Sequence, residues 1–329
     1  MKKLLLTTAM TTSLLASVAL AEVKIGGGLE ATYADAESTS TGASAGGAIG
    51  TEYELDITAT GKLSNGMTIK THAEFISDVA TSTTTRPVDL GITVGITPTV
   101  DFIIGQDEWE IMDNAPTVKA YNIIQDAATN ATATMGDSAF AADTLNMGVR
   151  VKAAGGTFGM IYSPDVSRKA GEGDRTTGGG GGSAYEVGYV GSFGVEGLTV
   201  LAGISQQTQP LSSTEDTDGK AYGIAYKHGK FAASISVDDV DAAGTTTSDQ
   251  KATTYGLTYA VTDAITVGLQ RLDNEIGSTA TDEETNQIEI AYNLGAATLA
   301  ASYQSTENAG GSRTAKDADS FTITLRHSF

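Results

Sequence analysis

"YELDITATGKLSNGMTIKTHAEF" runs from Tyr53 to Phe75 and sorts itself two residues at a time. Tyr53, Leu55, Ile57 and Ala59 fall on one side; Glu54, Asp56, Thr58 and Thr60 fall on the other. After "SNG" the alternation resumes, with Met67, Ile69, Ala73 and Phe75 opposite Lys70, His72 and Glu74. Successive side chains of an extended chain point to opposite faces, so a period of two is the signature of a strand and not of a helix. Asn65 and Gly66 supply the backbone freedom that a tight turn needs. The stretch reads as a β-hairpin with one apolar and one polar face.

The pattern spreads outward in both directions. "EVKIGGGLEATY" puts Val23, Ile25, Leu29, Ala31 and Tyr33 opposite Lys24, Glu30 and Thr32. "SFTITLRHSF" puts Phe321, Ile323, Leu325, His327 and Phe329 opposite Thr322, Thr324, Arg326 and Ser328. Between them, strands are expected at about 88–96, 99–106, 143–153, 156–163, 184–193, 197–207, 219–228, 230–239, 251–261, 264–273, 286–294 and 297–306. With 22–33, 52–62, 67–75 and 319–329 these make about sixteen.

The connections alternate in length. Short ones hold turn residues: Asn65–Gly66, Pro98, Gly155–Gly156, Gly194–Gly197, Gly229, Asp263 and Gly295. Long ones span about 35–50, 78–87, 107–142, 164–183, 208–218, 240–250, 274–285 and 307–318, and are rich in Ser, Thr, Asp, Glu and Gly. All 5 prolines lie in loops or at strand ends, where a missing N–H does no harm. Tight turns on one side and long loops on the other is the pattern of a membrane β-barrel. Lipid leaves no water to satisfy backbone groups, so a sheet that crosses it must close on itself.

The bulk numbers narrow the function. Lys2 and Lys3, a short apolar run and an Ala19-x-Ala21 site read as a secretory signal peptide over 1–21, with the mature chain at 22–329. Removing the leader leaves 18 Lys and Arg against 40 Asp and Glu, a net charge near −22. A chain this acidic repels nucleic acid. The absence of cysteine excludes disulfides and thiolate chemistry.

Four stretches carry a family resemblance: "EVKIGGGLEATY", "YELDITATGKLSNGMTIKTHAEF", "VDFIIGQ" (100–106) and "FTITLRHSF". In their order the chain resembles a Gram-negative general diffusion porin of the alphaproteobacterial, Rhodobacter type. The resemblance implies an all-β, sixteen-stranded transmembrane antiparallel barrel in the outer membrane, a homotrimer, with the third long loop (107–142) folded into the pore. It also implies a closing strand whose terminal Phe329 is read by the insertion machinery.

By that resemblance, Asp107, Glu108, Glu110 and Asp113, beside the single Trp109, are expected to line the acidic side of the pore constriction. The inward-facing cations Lys24, Lys70, Arg150 and Arg326, with His72, are expected to form the basic side. Porins usually present a denser arginine cluster. With so few cations here, carboxylates dominate and the pore is expected to favour cations.

The mechanism expected is passive diffusion of small hydrophilic solutes and ions, without a cofactor. Expected partners are outer-membrane lipid and lipopolysaccharide. The acidic loops 213–219 and 281–286 lack a calcium-loop spacing and offer at most weak Ca²⁺ binding. The glycine-rich 171–183 lacks the G-K-[ST] ending of a phosphate loop. An enzyme in the barrel needs a histidine beside a nucleophile or a carboxylate pair, and only His72, His228 and His327 exist. The alternatives retained are a substrate-specific outer-membrane channel and an acidic surface β-protein or adhesin.

Overall fold

The computed structural model describes residues 22–36, 47–78, 86–106, 145–164, 182–208, 216–241, 249–277, 282–308 and 317–329. It holds sixteen strands in chain order: β1 (Glu22–Ala36), β2 (Ala48–Lys62), β3 (Thr68–Asp78), β4 (Arg86–Thr97), β5 (Val100–Gln106), β6 (Leu145–Ala153), β7 (Gly156–Ser163) and β8 (Ala184–Gly191). The second half comprises β9 (Leu198–Gln207), β10 (Thr217–His228), β11 (Phe231–Asp241), β12 (Gln250–Ala260), β13 (Ile265–Ile276), β14 (Glu283–Asn293), β15 (Ala297–Glu307) and β16 (Ala318–Ser328). Each pairs antiparallel with its neighbours in sequence, and β1 pairs with β16, so the sheet is a closed barrel.

Closure is made by the two ends of the chain. The β1–β16 register runs from Gly28 opposite Ser328 to Ala36 opposite Ser320. One step further, Gly27 and Phe329 exchange both backbone hydrogen bonds, at 3.1 and 3.0 Å. The C-terminal residue is therefore part of the ladder, and the seam has no frayed edge.

The faces are inverted relative to a water-soluble domain. Outward positions are apolar and exposed, as at Ile25 (66%) and Ile49 (78%), while inward polar groups such as Thr324 (0%) and Glu289 (2%) are covered. That distribution suits a wall between lipid and an aqueous lumen. Tyr33, Tyr53, Tyr222 and Tyr255 sit outward toward the long loops, and Phe158, Phe193, Phe231 and Phe329 outward toward the short turns. These are the positions of two aromatic girdles.

Several strand ends depart from the alternation reading, among them those of β1, β2, β3, β8, β13 and β14. β1 and β2 are longer than expected and continue pairing as far as Ala34 opposite Ala48. Small Ala and Gly residues give no apolar–polar contrast there, yet their backbones pair as well as any. Conversely β8 stops at Gly191, because Phe193 and Gly194 take left-handed φ values of 50° and 77° and open the turn early. Phe193 accepts that geometry while stacked on Tyr189 at 4.6 Å. Tyr189 also packs on Phe158 and donates its hydroxyl to the Ala154 carbonyl at 2.9 Å.

Candidate functional site: the charged lumen wall

Four contiguous strands, β16–β1–β2–β3, bring most of the inward charges to one wall. The register sets their heights. Arg326 lies opposite Glu30, and Glu30 opposite Glu52. The next inward level holds Gly28 opposite Glu54, and the level beyond pairs Asp56 with Glu74. His72 stands opposite Thr58, and Lys70 opposite Thr60.

Gly28 has a visible role. The Arg326 side chain crosses β1 to reach Glu54 on β2, its Nη2 donating to Oε2 at 2.8 Å. A Cβ on Gly28 would stand 3.4 Å from the Arg326 Nε, so glycine leaves the guanidinium a flat floor. His72 Nε2 lies 3.3 Å from Asp56 Oδ1. Thr32 Oγ1 donates to Glu30 Oε1 at 3.1 Å.

Glu54, Asp56 and Glu74 each place a carboxylate oxygen within 4.8 Å of the others. Like charges this close repel; Arg326 supplies a compensating charge to Glu54, and His72 lies beside Asp56. Three oxygen donors suit a hard cation in principle. Glu54 already has Arg326 as a neighbour, and Asp56 has His72.

Solvent access distinguishes this wall. The mid-height inward groups of β1–β3 are half-buried, and Arg326 is 40% exposed. On the rest of the barrel, mid-height inward groups such as Ile103, Ile161, Glu186, Asp238 and Glu289 are fully buried. Among the described residues, Glu30, Glu52, Glu54, Asp56 and Glu74 with Arg326, Lys70 and His72 make one water-accessible, charged stretch of the lumen wall.

The expected basic residues thus separate. Lys70, His72 and Arg326 share this wall, interleaved with carboxylates. Lys24 faces inward near the short turns, highly exposed, 3.4 Å from Glu22. Arg150 lies apart on β6, in register with Asp101 on β5, which Lys152 also reaches at 3.4 Å. Asp107, Glu108, Glu110 and Asp113 fall outside the described residues, as do 213–215 of loop 213–219, whose Thr217 to Gly219 begin β10. Of loop 281–286, Glu283 to Asn286 begin β14.

The wall carboxylates were visible in the alternation as polar positions of "YELDITATGK" and "IKTHAEF". What the alternation lacks is register. Only the β2–β3 pairing brings Asp56 beside Glu74.

A closed, lipid-compatible barrel with a charged, water-accessible inner wall defines a channel-forming outer-membrane β-barrel, a class without catalytic machinery. The Gram-negative porin family model matches residues 6–311, and the chain belongs to that family. It is accordingly a non-enzymatic outer-membrane diffusion channel. Solved structures agree in fold. An anion-selective porin from Comamonas acidovorans superposes with a TM-score of 0.69 at 15% identity, covering 94% of this chain and 100% of that one. Salmonella typhi OmpF, in a complex with daunomycin, gives 0.68 at 10%, covering 93% and 97%. An engineered variant of the Rh. blastica porin gives 0.65 at 14%, covering 94% and 100%. Among curated protein sequences none matches.

Proposed function

We propose that this chain is a general diffusion porin with a preference for small cations and neutral hydrophilic solutes. The observation that carries the reading is the composition of the accessible lumen wall. Five carboxylates (Glu30, Glu52, Glu54, Asp56 and Glu74) stand against two permanent cations, Arg326 and Lys70, and one histidine. A wall of carboxylates raises the local cation concentration and repels anions. The anion-selective Comamonas porin has the same fold, so lining charge and not architecture sets the sign of selectivity.

The cations Arg326 and Lys70, interleaved with the carboxylates, leave a polarity across the wall. A dipolar solute aligns with it, and an apolar one must displace ordered water. In this reading residues 1–21 are removed on export, the third long loop supplies the opposing acids Asp107, Glu108, Glu110 and Asp113, and the working unit is a homotrimer.

The test is a planar-bilayer recording of the mature chain with a KCl gradient across the membrane. Conductance steps grouped in threes, with a reversal potential on the cation side, support the proposal. A reversal potential on the anion side overturns the selectivity, and a closed bilayer overturns the open channel.

A further inference from the structure

The chain holds 3 histidines, His72, His228 and His327. Two of them stand outside the lumen. His228 pairs with Phe231, which is 58% exposed on the outer face. His327 pairs with Leu29, which is 54% exposed on the same face. Directly opposed residues of paired strands share a face. His72 is therefore the one histidine that belongs to the pore, on the charged wall, with its Nε2 3.3 Å from Asp56 Oδ1 and its side chain 16% exposed.

The surroundings of His72 are polarised along the strand. On β3 itself, Lys70 and Glu74 share its face on either side, each roughly 7 Å away along an extended chain. On β2, Thr58 stands directly opposite. One level toward the long loops Asp56 pairs with Glu74, and one level toward the turn Thr60 pairs with Lys70. On β4, Gly91 stands opposite His72 and Thr93 opposite Lys70, and neither titrates. Asp89 comes two residues before Gly91 in the sequence. Glu54, one level further along β2, is held by Arg326. His72 thus sits at the edge of the crowded carboxylates, whose oxygens lie within 4.8 Å of one another.

We propose that His72 is a selectivity-determining residue, which makes the cation preference of this channel fall as the medium acidifies. Histidine is the side chain whose charge ordinarily changes between pH 5 and 8. Deprotonated, it leaves Glu30, Glu52, Glu54, Asp56 and Glu74 against Arg326 and Lys70, a net of three negative charges on the wall. Protonated, it sets a third cation 3.3 Å from Asp56, and the net falls to two. The charge of His72 reaches about 10 Å in 0.1 M salt, which covers the levels on both sides of it. The proposal rests on the cation-preferring reading of the wall and adds its dependence on pH.

The test is the reversal potential of the mature barrel in a planar bilayer, under a KCl gradient centred near ~0.1 M, from about pH 8 down to about pH 5. The expected result is a cation-to-anion permeability ratio about two-fold lower at the acid end, the change that one charge makes through screened water. His72→Gln holds the high-pH ratio throughout, and His72→Arg holds the low-pH ratio throughout. Heat-dependent gel migration reports folding. A cation-side reversal potential with a flat wild-type pH profile overturns this proposal alone. So does a slope that survives in His72→Gln, which assigns the titration to the carboxylates. An anion-side reversal potential at every pH overturns the cation preference, and this proposal with it. If His72→Gln does not fold, His72→Arg decides, and a slope that persists in it overturns the proposal.

Discussion

At Gly27 the barrel seam leaves room for a hydrogen atom and nothing larger. A Cβ there would lie 2.2 Å from the Glu54 carbonyl oxygen and 3.1 Å from the Phe329 ring. Gly27→Ala must therefore push β1 away from β2, at a cost of about 1–3 kcal/mol, typical of overpacking. The urea midpoint of the refolded barrel is expected to fall. An unchanged midpoint removes Gly27 from the closing contact. A few residues along, Glu54, Asp56 and Glu74 crowd one spot of the lumen. Neutralising each as Gln or Asn is expected to lower the cation-to-anion permeability ratio about two-fold per carboxylate. That corresponds to roughly 0.5 kcal/mol for one charge acting through screened water. Reversal potentials of the single and triple variants test it, and a triple variant with wild-type selectivity places the filter elsewhere.

At the scale of elements, the β8–β9 connection shows how a turn is held when its backbone is unfavourable. Ala154 and Phe193, neither of them glycine, both take left-handed φ angles. Tyr189 ties the two turns together. Its hydroxyl donates to the Ala154 carbonyl and accepts from the Phe193 N–H at 3.4 Å, while its ring sits between Phe158 and Phe193. Tyr189→Phe keeps the ring contacts and removes both hydrogen bonds. The expected loss is about 1–2 kcal/mol, at 0.5–1.5 for each bond, the 3.4 Å one contributing least. Equilibrium unfolding of the detergent-folded barrel measures it, and a variant as stable as wild type assigns the turn geometry to stacking alone. The cluster was only half legible in the sequence. The strand ranges and turn glycines place Phe158 and Phe193 beside short turns, but nothing local reveals that Tyr189 bridges them.

At the scale of the whole molecule, the proposed cation preference is a field effect of an acid-rich lumen. Screening shortens that field from about 10 Å in 0.1 M salt to about 3 Å in 1 M. Cation preference is therefore expected to weaken steeply as KCl rises, while conductance continues to grow with ion concentration. A reversal potential that stays at its low-salt permeability ratio in 1 M KCl indicates direct ion coordination instead, and returns attention to the Glu54, Asp56 and Glu74 oxygens.

The sequence by itself determined the barrel. Period-two alternation, turn glycines and the short–long rhythm of connections are local properties, and lipid forces any such set of strands to close, so sixteen segments and their inward and outward faces were legible without coordinates. It also determined which residues are inward, including Lys24, Lys70, His72, Arg150 and Arg326. Only the tertiary structure decided which of them meet. Register is a pairing between strands, and the closure of β16 on β1 joins residues nearly the whole chain apart. The reach of Arg326 over Gly28 to Glu54 and the crowding of Asp56 against Glu74 both depend on those pairings. A one-residue slip in register, invisible to composition or to periodicity, turns every one of them to the other face.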